Sequence, residues 1–118
     1  MAVGAMAKLR SAKQIFCARL KGARRRAGMS QKELGIAAGL DRFVASTRIN
    51  RYEVGVHDPD AETAGRLALA LDVPLAYLFA EDDRQARLLL AFAALTRDEQ
   101  DAVLAALEKA AAAGVVKD

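Results

Sequence analysis

The sequence predicts an all-α protein, and three observations carry that expectation. Ala supplies 27 of the 118 residues while β-branched residues are sparse, a balance that favours helix over strand. Pro occurs only twice, so little interrupts a helical backbone. Apolar side chains recur at three- and four-residue spacing in segments that end at Gly, the residue best suited to close a helix. With 53% hydrophobic and 28% charged residues the chain can bury a core, and its length suits one domain or one domain with a short appendage.

Residues 1–12 show no periodicity and read as a flexible basic arm. A first helix is expected from Lys13 to Ala27, with Phe16, Leu20 and Ala23 on one stripe and Arg19 and Arg26 outside it. Gly28 is its left-handed C-cap. Ser30-Gln31-Lys32-Glu33 then forms a capping box, in which the Ser hydroxyl accepts from the Glu33 amide while the Glu side chain reaches back. The second helix runs from Gln31 to Ala38, turns Leu34, Ala37 and Ala38 inward, and stops at Gly39.

A third helix lies within residues 41–54, its buried face set by Ala45, Ile49 and Tyr52. Phe43 and Val44 do not fit that stripe. Either Asp41 caps one long helix, or residues 41–45 form a loop and Ser46 opens a shorter one; the misfit favours the second reading. After a loop from Gly55 to Pro59, Asp60 caps a fourth helix carrying Ala64, Leu67, Ala68 and Leu71. Asp72-Val73-Pro74 opens a short fifth helix with Leu75, Leu78 and Phe79 toward the core.

The acidic run Glu81-Asp82-Asp83 marks a polar boundary. Beyond it, residues 84–95 and 97–113 read as a helical hairpin, with a second capping box at Thr96-Arg97-Asp98-Glu99 and Gly114 as its close. The stripe of Leu88, Phe92 and Leu95 and that of Val103 and Leu107 either cover one another or form a dimer surface. The expected division is an arm at 1–12, a domain at 13–80 and a hairpin at 81–118.

Charge is distributed unevenly along this plan. Residues 1–55 carry twelve Lys or Arg against three acids, a balance of +9, and residues 56–118 carry six against twelve, a balance of −6. A polyanion-binding half joined to a non-binding half would show this polarity, although surface helices also cluster charge by chance. Within the basic run Arg24-Arg25-Arg26, a solvated helix end and phosphate attraction are equally good accounts of Arg25 and Arg26.

Several classes are disfavoured. The single Cys17 offers no disulfide framework or Cys-based zinc cluster, and beside Phe16 and Leu20 it reads as a packing residue. His57 stands alone in a loop, as a solvated residue or a phosphate contact, without the ligands a metal would need. No metal or cofactor is expected. One His, one Cys and no Gly-rich phosphate loop leave no convergent catalytic set, so an enzyme is not expected. The start from Met1 to Lys8 is too short in apolar residues for a signal peptide, and no stretch suits a membrane helix, so the expected location is cytoplasmic.

Two helices joined by a tight turn, the first short and small-faced at Gly35 and Ala38, the second bearing polar side chains, describe a helix-turn-helix. The outer face of the second offers Ser46, Thr47, Arg48, Asn50 and Arg51, which have the reach and chemistry to address base edges in a major groove. Lys32 and Arg42 are candidate phosphate contacts.

The run Gly28 to Leu34, then Ala38-Gly39-Leu40, Ile49 to Gly55, Pro59, and Leu67 to Leu78, resembles the lambda-repressor/Cro-like (XRE) helix-turn-helix domains over residues 13–80. The resemblance implies a five-helix DNA-binding domain, here followed by the C-terminal hairpin. It implies that Gln31 contacts a DNA phosphate, that Ser46, Thr47 and Arg51 occupy base-reading positions, and that Arg24 and Glu53 form an ion pair locking the first helix to the third. Two departures stand out. About four extra residues separate Gly39 from Ile49, and Gly35 replaces the usual Ala at a helix-propensity cost of about 1 kcal/mol.

The function this implies is a sequence-specific regulator of transcription, a repressor acting as a homodimer on a pseudo-palindromic operator in double-stranded DNA. The alternative is an antitoxin-like interaction module whose C-terminal helices bind a partner protein.

Overall fold

The computed structural model describes residues 11–117, all of whose regular elements are helical. The α-helices are α1 (Ala12–Arg26), α2 (Gln31–Ala37), α3 (Ala45–Val54), α4 (Ala61–Leu71), α5 (Asp83–Ala93) and α6 (Arg97–Lys117), with a 3-10 helix at Leu75–Phe79 between α4 and α5.

Helix α1 starts one residue earlier than its stripe suggests because Ser11 caps it. The Ser11 hydroxyl accepts from the Gln14 N–H and the Gln14 side chain accepts from the Ser11 N–H, a reciprocal pair that satisfies two orphan donors. Ala12 therefore belongs to the helix, and the rest of the expected arm, residues 1–10, lies outside the described residues. At the other end, Gly28 takes a φ of 70°, and the Met29 N–H reaches back to the Arg24 carbonyl, which turns the chain toward α2.

The Ser30–Glu33 box opens α2 as its sequence pattern requires. Ala37 differs from expectation: it is exposed, and Leu34, Gly35 and Ala38 carry the buried face. Residues 41–44 form a turn, so α3 begins at Ala45, one residue before the Ser46 start that the misfit of Phe43 and Val44 favours.

The core gathers Phe16, Leu20 and Ala23 of α1, Leu34 and Ala38 of α2, Ala45, Ile49 and Tyr52 of α3, Ala64, Leu67, Ala68 and Leu71 of α4, and Tyr77 and Leu78 of the 3-10 helix. Leu20, Leu34, Ile49, Leu67 and Leu78 are sealed from solvent. Leu75 and Phe79, expected in the core, are instead half-exposed, and Tyr77 takes the buried position beside Leu78. A 3-10 helix advances about 120° per residue, which swings Phe79 off the face that holds Leu78. Its ring still meets that of Phe16 at a centroid distance of 5.2 Å.

Beyond the 3-10 helix, Arg19 of α1 ties the chain down. Its guanidinium donates twice to the Ala80 carbonyl and once to Asp83, at the start of α5. Ala86 of α5 is buried against the same core. Helix α6 behaves differently. Thr96 and Glu99 form the expected capping box, but no side chain of α6 among the described residues is buried. Neither stripe is sealed: Phe92 of α5, Leu95 just after it and Val103 of α6 are half-buried, while Leu88, Leu104 and Leu107 are close to half-exposed. Nor does Gly114 close α6, which continues to Lys117; the Ala run before it has the strongest helix propensity available and carries the helix through.

Candidate nucleic-acid interface

Helices α2 and α3 make the most extensive contact between any two elements, and Gly35 is the reason they meet so closely. A Cβ at Gly35 would lie 2.6 Å from the Ala45 Cβ and 3.0 Å from both the Ala45 Cα and carbonyl oxygen. The helix-turn-helix crossing thus requires no side chain there, and the propensity cost expected for Gly35 is the cost of that contact.

Helix α3 is fixed from behind by a buried polar cluster. Arg24 Nε donates to Glu53 Oε2 at 2.5 Å and Nη2 donates to Oε1 at 3.1 Å, while Nη1 caps the Met29 carbonyl at 2.9 Å. The Glu53 side chain is 2% exposed and the Arg24 side chain 12%. The hydrogen bonds to Glu53 push the Arg24 guanidinium above its ordinary value, against the opposing effect of burial. The Gln31 Nε2 also donates to Glu53 Oε1, at 3.1 Å. One carboxylate therefore joins α1, α2 and α3. The sequence resemblance identifies the Arg24–Glu53 pair but does not reveal Gln31 as its third member.

Cys17 supports the same helix from α1. Its Sγ donates to the Tyr52 carbonyl at 3.2 Å, and burial pushes the thiol above its ordinary value. Lys13 closes the C-terminal end of α3 by donating to the Gly55 carbonyl at 3.1 Å and lying 3.6 Å from Asp58.

With its back anchored, α3 presents its other face. Ala45, Ile49, Tyr52 and Glu53 are buried, whereas Ser46, Thr47, Arg48, Asn50 and Arg51 are exposed. At about 100° per residue, Ser46, Asn50, Thr47 and Arg51 fall in that order within an arc of about 140°. Arg48 lies at the flank of this arc and is turned along its own helix. Its Nη2 donates to the Tyr52 hydroxyl at 2.6 Å, and its guanidinium lies 5.8 Å from the Tyr52 ring centroid. Of the five base-reading candidates, Arg48 alone has its side chain engaged in a hydrogen bond within the described residues.

The phosphate candidates sit nearby. Lys32 is exposed on the first turn of α2, and Arg42 is exposed in the turn before α3, with its guanidinium 6.0 Å from the Phe43 ring centroid. Gln31 is half-buried, and its second Nε2 hydrogen remains once Glu53 has taken the first. His57 is exposed in the loop after α3. Arg26 turns away from α3: its Nη2 donates to the Tyr77 hydroxyl, and it shares that ring with Arg19. Phe43 has no place among the residues expected to act, yet it is 88% exposed at the threshold of α3.

The geometry matches known proteins. Residues 20–78 match the family model described as helix-turn-helix. The solved structure of the transcriptional regulator BswR is 43% identical over 79% of this chain and 92% of its own, with a TM-score of 0.72. Among curated proteins, no match to the chain was found. The chain belongs to the lambda-repressor/Cro-like (XRE) family of helix-turn-helix DNA-binding regulators.

Proposed function

We propose that the protein is a sequence-specific repressor that binds double-stranded DNA as a homodimer and reads the major groove with α3. The observation that carries this reading is the exposed polar edge of Ser46, Thr47, Asn50 and Arg51, on a helix whose opposite face is buried and pinned at Glu53. Arg51 reads a guanine through two parallel hydrogen bonds, and the shorter side chains read their neighbours. Arg48, whose guanidinium keeps further N–H donors beside the one given to Tyr52, joins them at the flank of the arc.

Lys32, Arg42 and the free hydrogen of the Gln31 amide hold the phosphate backbone and set the register. Lys and Arg neutralisation supplies most of the non-specific affinity, so binding falls steeply with salt. Occupancy of a promoter by such a dimer blocks transcription, in the cytoplasm where the chromosome of a bacterium or phage is accessible. The apolar faces of α5 and α6, with Leu88, Leu104 and Leu107 open, support pairing of two copies. Two recognition helices about 34 Å apart then address successive grooves on one side of a pseudo-palindromic operator.

Selection of bound sequences from random duplexes at two salt concentrations tests the reading. A palindromic motif whose recovery survives the higher salt is the expected result. Recovery of sequences without any motif would overturn it. Capture of a single stoichiometric partner protein by α5 and α6, in place of self-association, would favour the antitoxin-like alternative for the same exposed faces.

A further inference from the structure

We propose that Phe43 reads thymine, its ring packing on the C5-methyl group at the edge of the site that α3 occupies; this inference rests on the DNA-binding reading above. Phe43 is the most exposed large apolar side chain among the described residues, at 88%, and it covers nothing of the core. Its backbone is nonetheless fixed. The Phe43 N–H donates to the Asp41 carboxylate at 2.8 Å, and the Val44 N–H donates to the Asp41 carbonyl at 3.1 Å. An aromatic ring on an ordered turn gives up little conformational freedom when a partner covers it, which makes it an effective anchor.

The place of that turn selects the partner. Val44 is the residue at the N-terminal boundary of α3, and Ser46 and Thr47 follow in its first turn. A recognition helix contacts bases chiefly with its N-terminal residues, so a side chain just before that end lies beside the same groove wall. The Arg42 guanidinium, 6.0 Å from the Phe43 ring centroid, brings a positive charge to the ring and suits a phosphate rather than an apolar protein surface. In a major groove only thymine displays an apolar group, and an aromatic side chain without hydrogen-bonding atoms can read nothing else there. The extra residues between Gly39 and Ile49 thus have a use: Asp41 builds the turn, Arg42 neutralises the backbone and Phe43 faces the base.

The test replaces thymidine by deoxyuridine, which removes only the methyl, one position at a time in one half-site of the selected operator. Wild-type protein is expected to lose affinity roughly four-fold at one position, which is a buried methyl of about 0.8 kcal/mol expressed as a ratio. Phe43→Ala is expected to bind the thymidine duplex about as weakly as the wild type binds the deoxyuridine one, and to be insensitive to the replacement. Phe43→Leu keeps an apolar contact and retains the sensitivity. Helix content and melting temperature of both variants should match the wild type, because the ring packs on no core residue.

Wild-type affinity indifferent to every thymidine replacement, or equal sensitivity in Phe43→Ala, overturns the proposal while leaving DNA recognition intact. Failure of the wild type to select any sequence overturns both.

Discussion

Gly35 and Ala45 touch where the second helix crosses the third, and a single added carbon on Gly35 would stand 2.6 Å from the Ala45 Cβ. The other near atoms are the Ala45 Cα and carbonyl oxygen, both backbone or backbone-bound, so no flexible side chain can move aside. Gly35→Ala would gain about 1 kcal/mol of helix propensity, yet forcing the helices apart costs about 1–3 kcal/mol and misplaces α3. Urea unfolding should show a net loss of stability, and DNA affinity should fall in folded protein at low temperature. A more stable variant with unchanged affinity would mean that the crossing tolerates separation.

The buried carboxylate predicts a larger loss. Glu53→Ala leaves the Arg24 guanidinium, 12% exposed, without its counter-charge and deprives Gln31 of its acceptor. Breaking such a pair from one side costs about 3–5 kcal/mol. Replacing both Arg24 and Glu53 with Met should cost less than the two single changes added together, since no charge is then stranded. Chemical denaturation of the three variants measures the difference directly.

Arg51 should divide binding from folding. It is exposed on α3 and makes no ion pair among the described residues, so Arg51→Ala should leave the unfolding curve where it is. Its loss should weaken operator binding by about 1–3 kcal/mol and relax the preference at one base pair. An unchanged footprint and motif would remove Arg51 from the readers.

Acid should loosen the helix starts first. The Ser30 N–H and hydroxyl hold the Glu33 carboxyl below its ordinary 4.5, and Thr96 does the same for Glu99. Hydrogen bonds from Thr63 hold Asp60 below 3.8. A carboxyl depressed in the folded state binds its proton more readily in the unfolded chain. Its contribution is therefore complete above the unfolded value and is lost as pH falls through the folded one. The melting temperature should stay level near neutrality and decline below about pH 4.5. Ser30→Ala should make that decline slightly shallower, because the hydroxyl's share is gone while the N–H of residue 30 still holds Glu33.

The helix boundaries were most legible where a short motif carries its own mechanism. Ser30 to Glu33, Gly28 and Thr96 to Glu99 act within a few residues, so their local pattern fixes their geometry. Ser11-Ala12-Lys13-Gln14 carries the same kind of signal and was obscured by the aperiodic residues before it. Gly35 is different: its neighbour Ala45 is ten residues away across a turn, so a propensity scale records the cost and not the contact.

Tertiary context also decides the site. The expected pairing of Arg24 with Glu53 is present, but Gln31 joins it across 22 residues, a contact that no spacing rule encodes, whereas the bond from Arg48 to Tyr52 is an i,i+4 helix pair that the sequence did carry. Phe43 left a trace in the sequence as one of two residues, with Val44, that do not fit the buried stripe of α3, and it is the more exposed of them. That failure marks a side chain meant for something outside the chain.

The last helix draws almost nothing from the body that carries it. It spans 21 residues without one buried side chain among those described, whereas most helices in proteins draw their stability from a packed apolar face. In the dimer proposed above, its order would become a property of two chains rather than one. Dilution would then unwind the tail before it touched the reading head. The abundance of the protein would set how often two heads arrive at an operator together, and a gene controlled by it would sense its supply through this last helix.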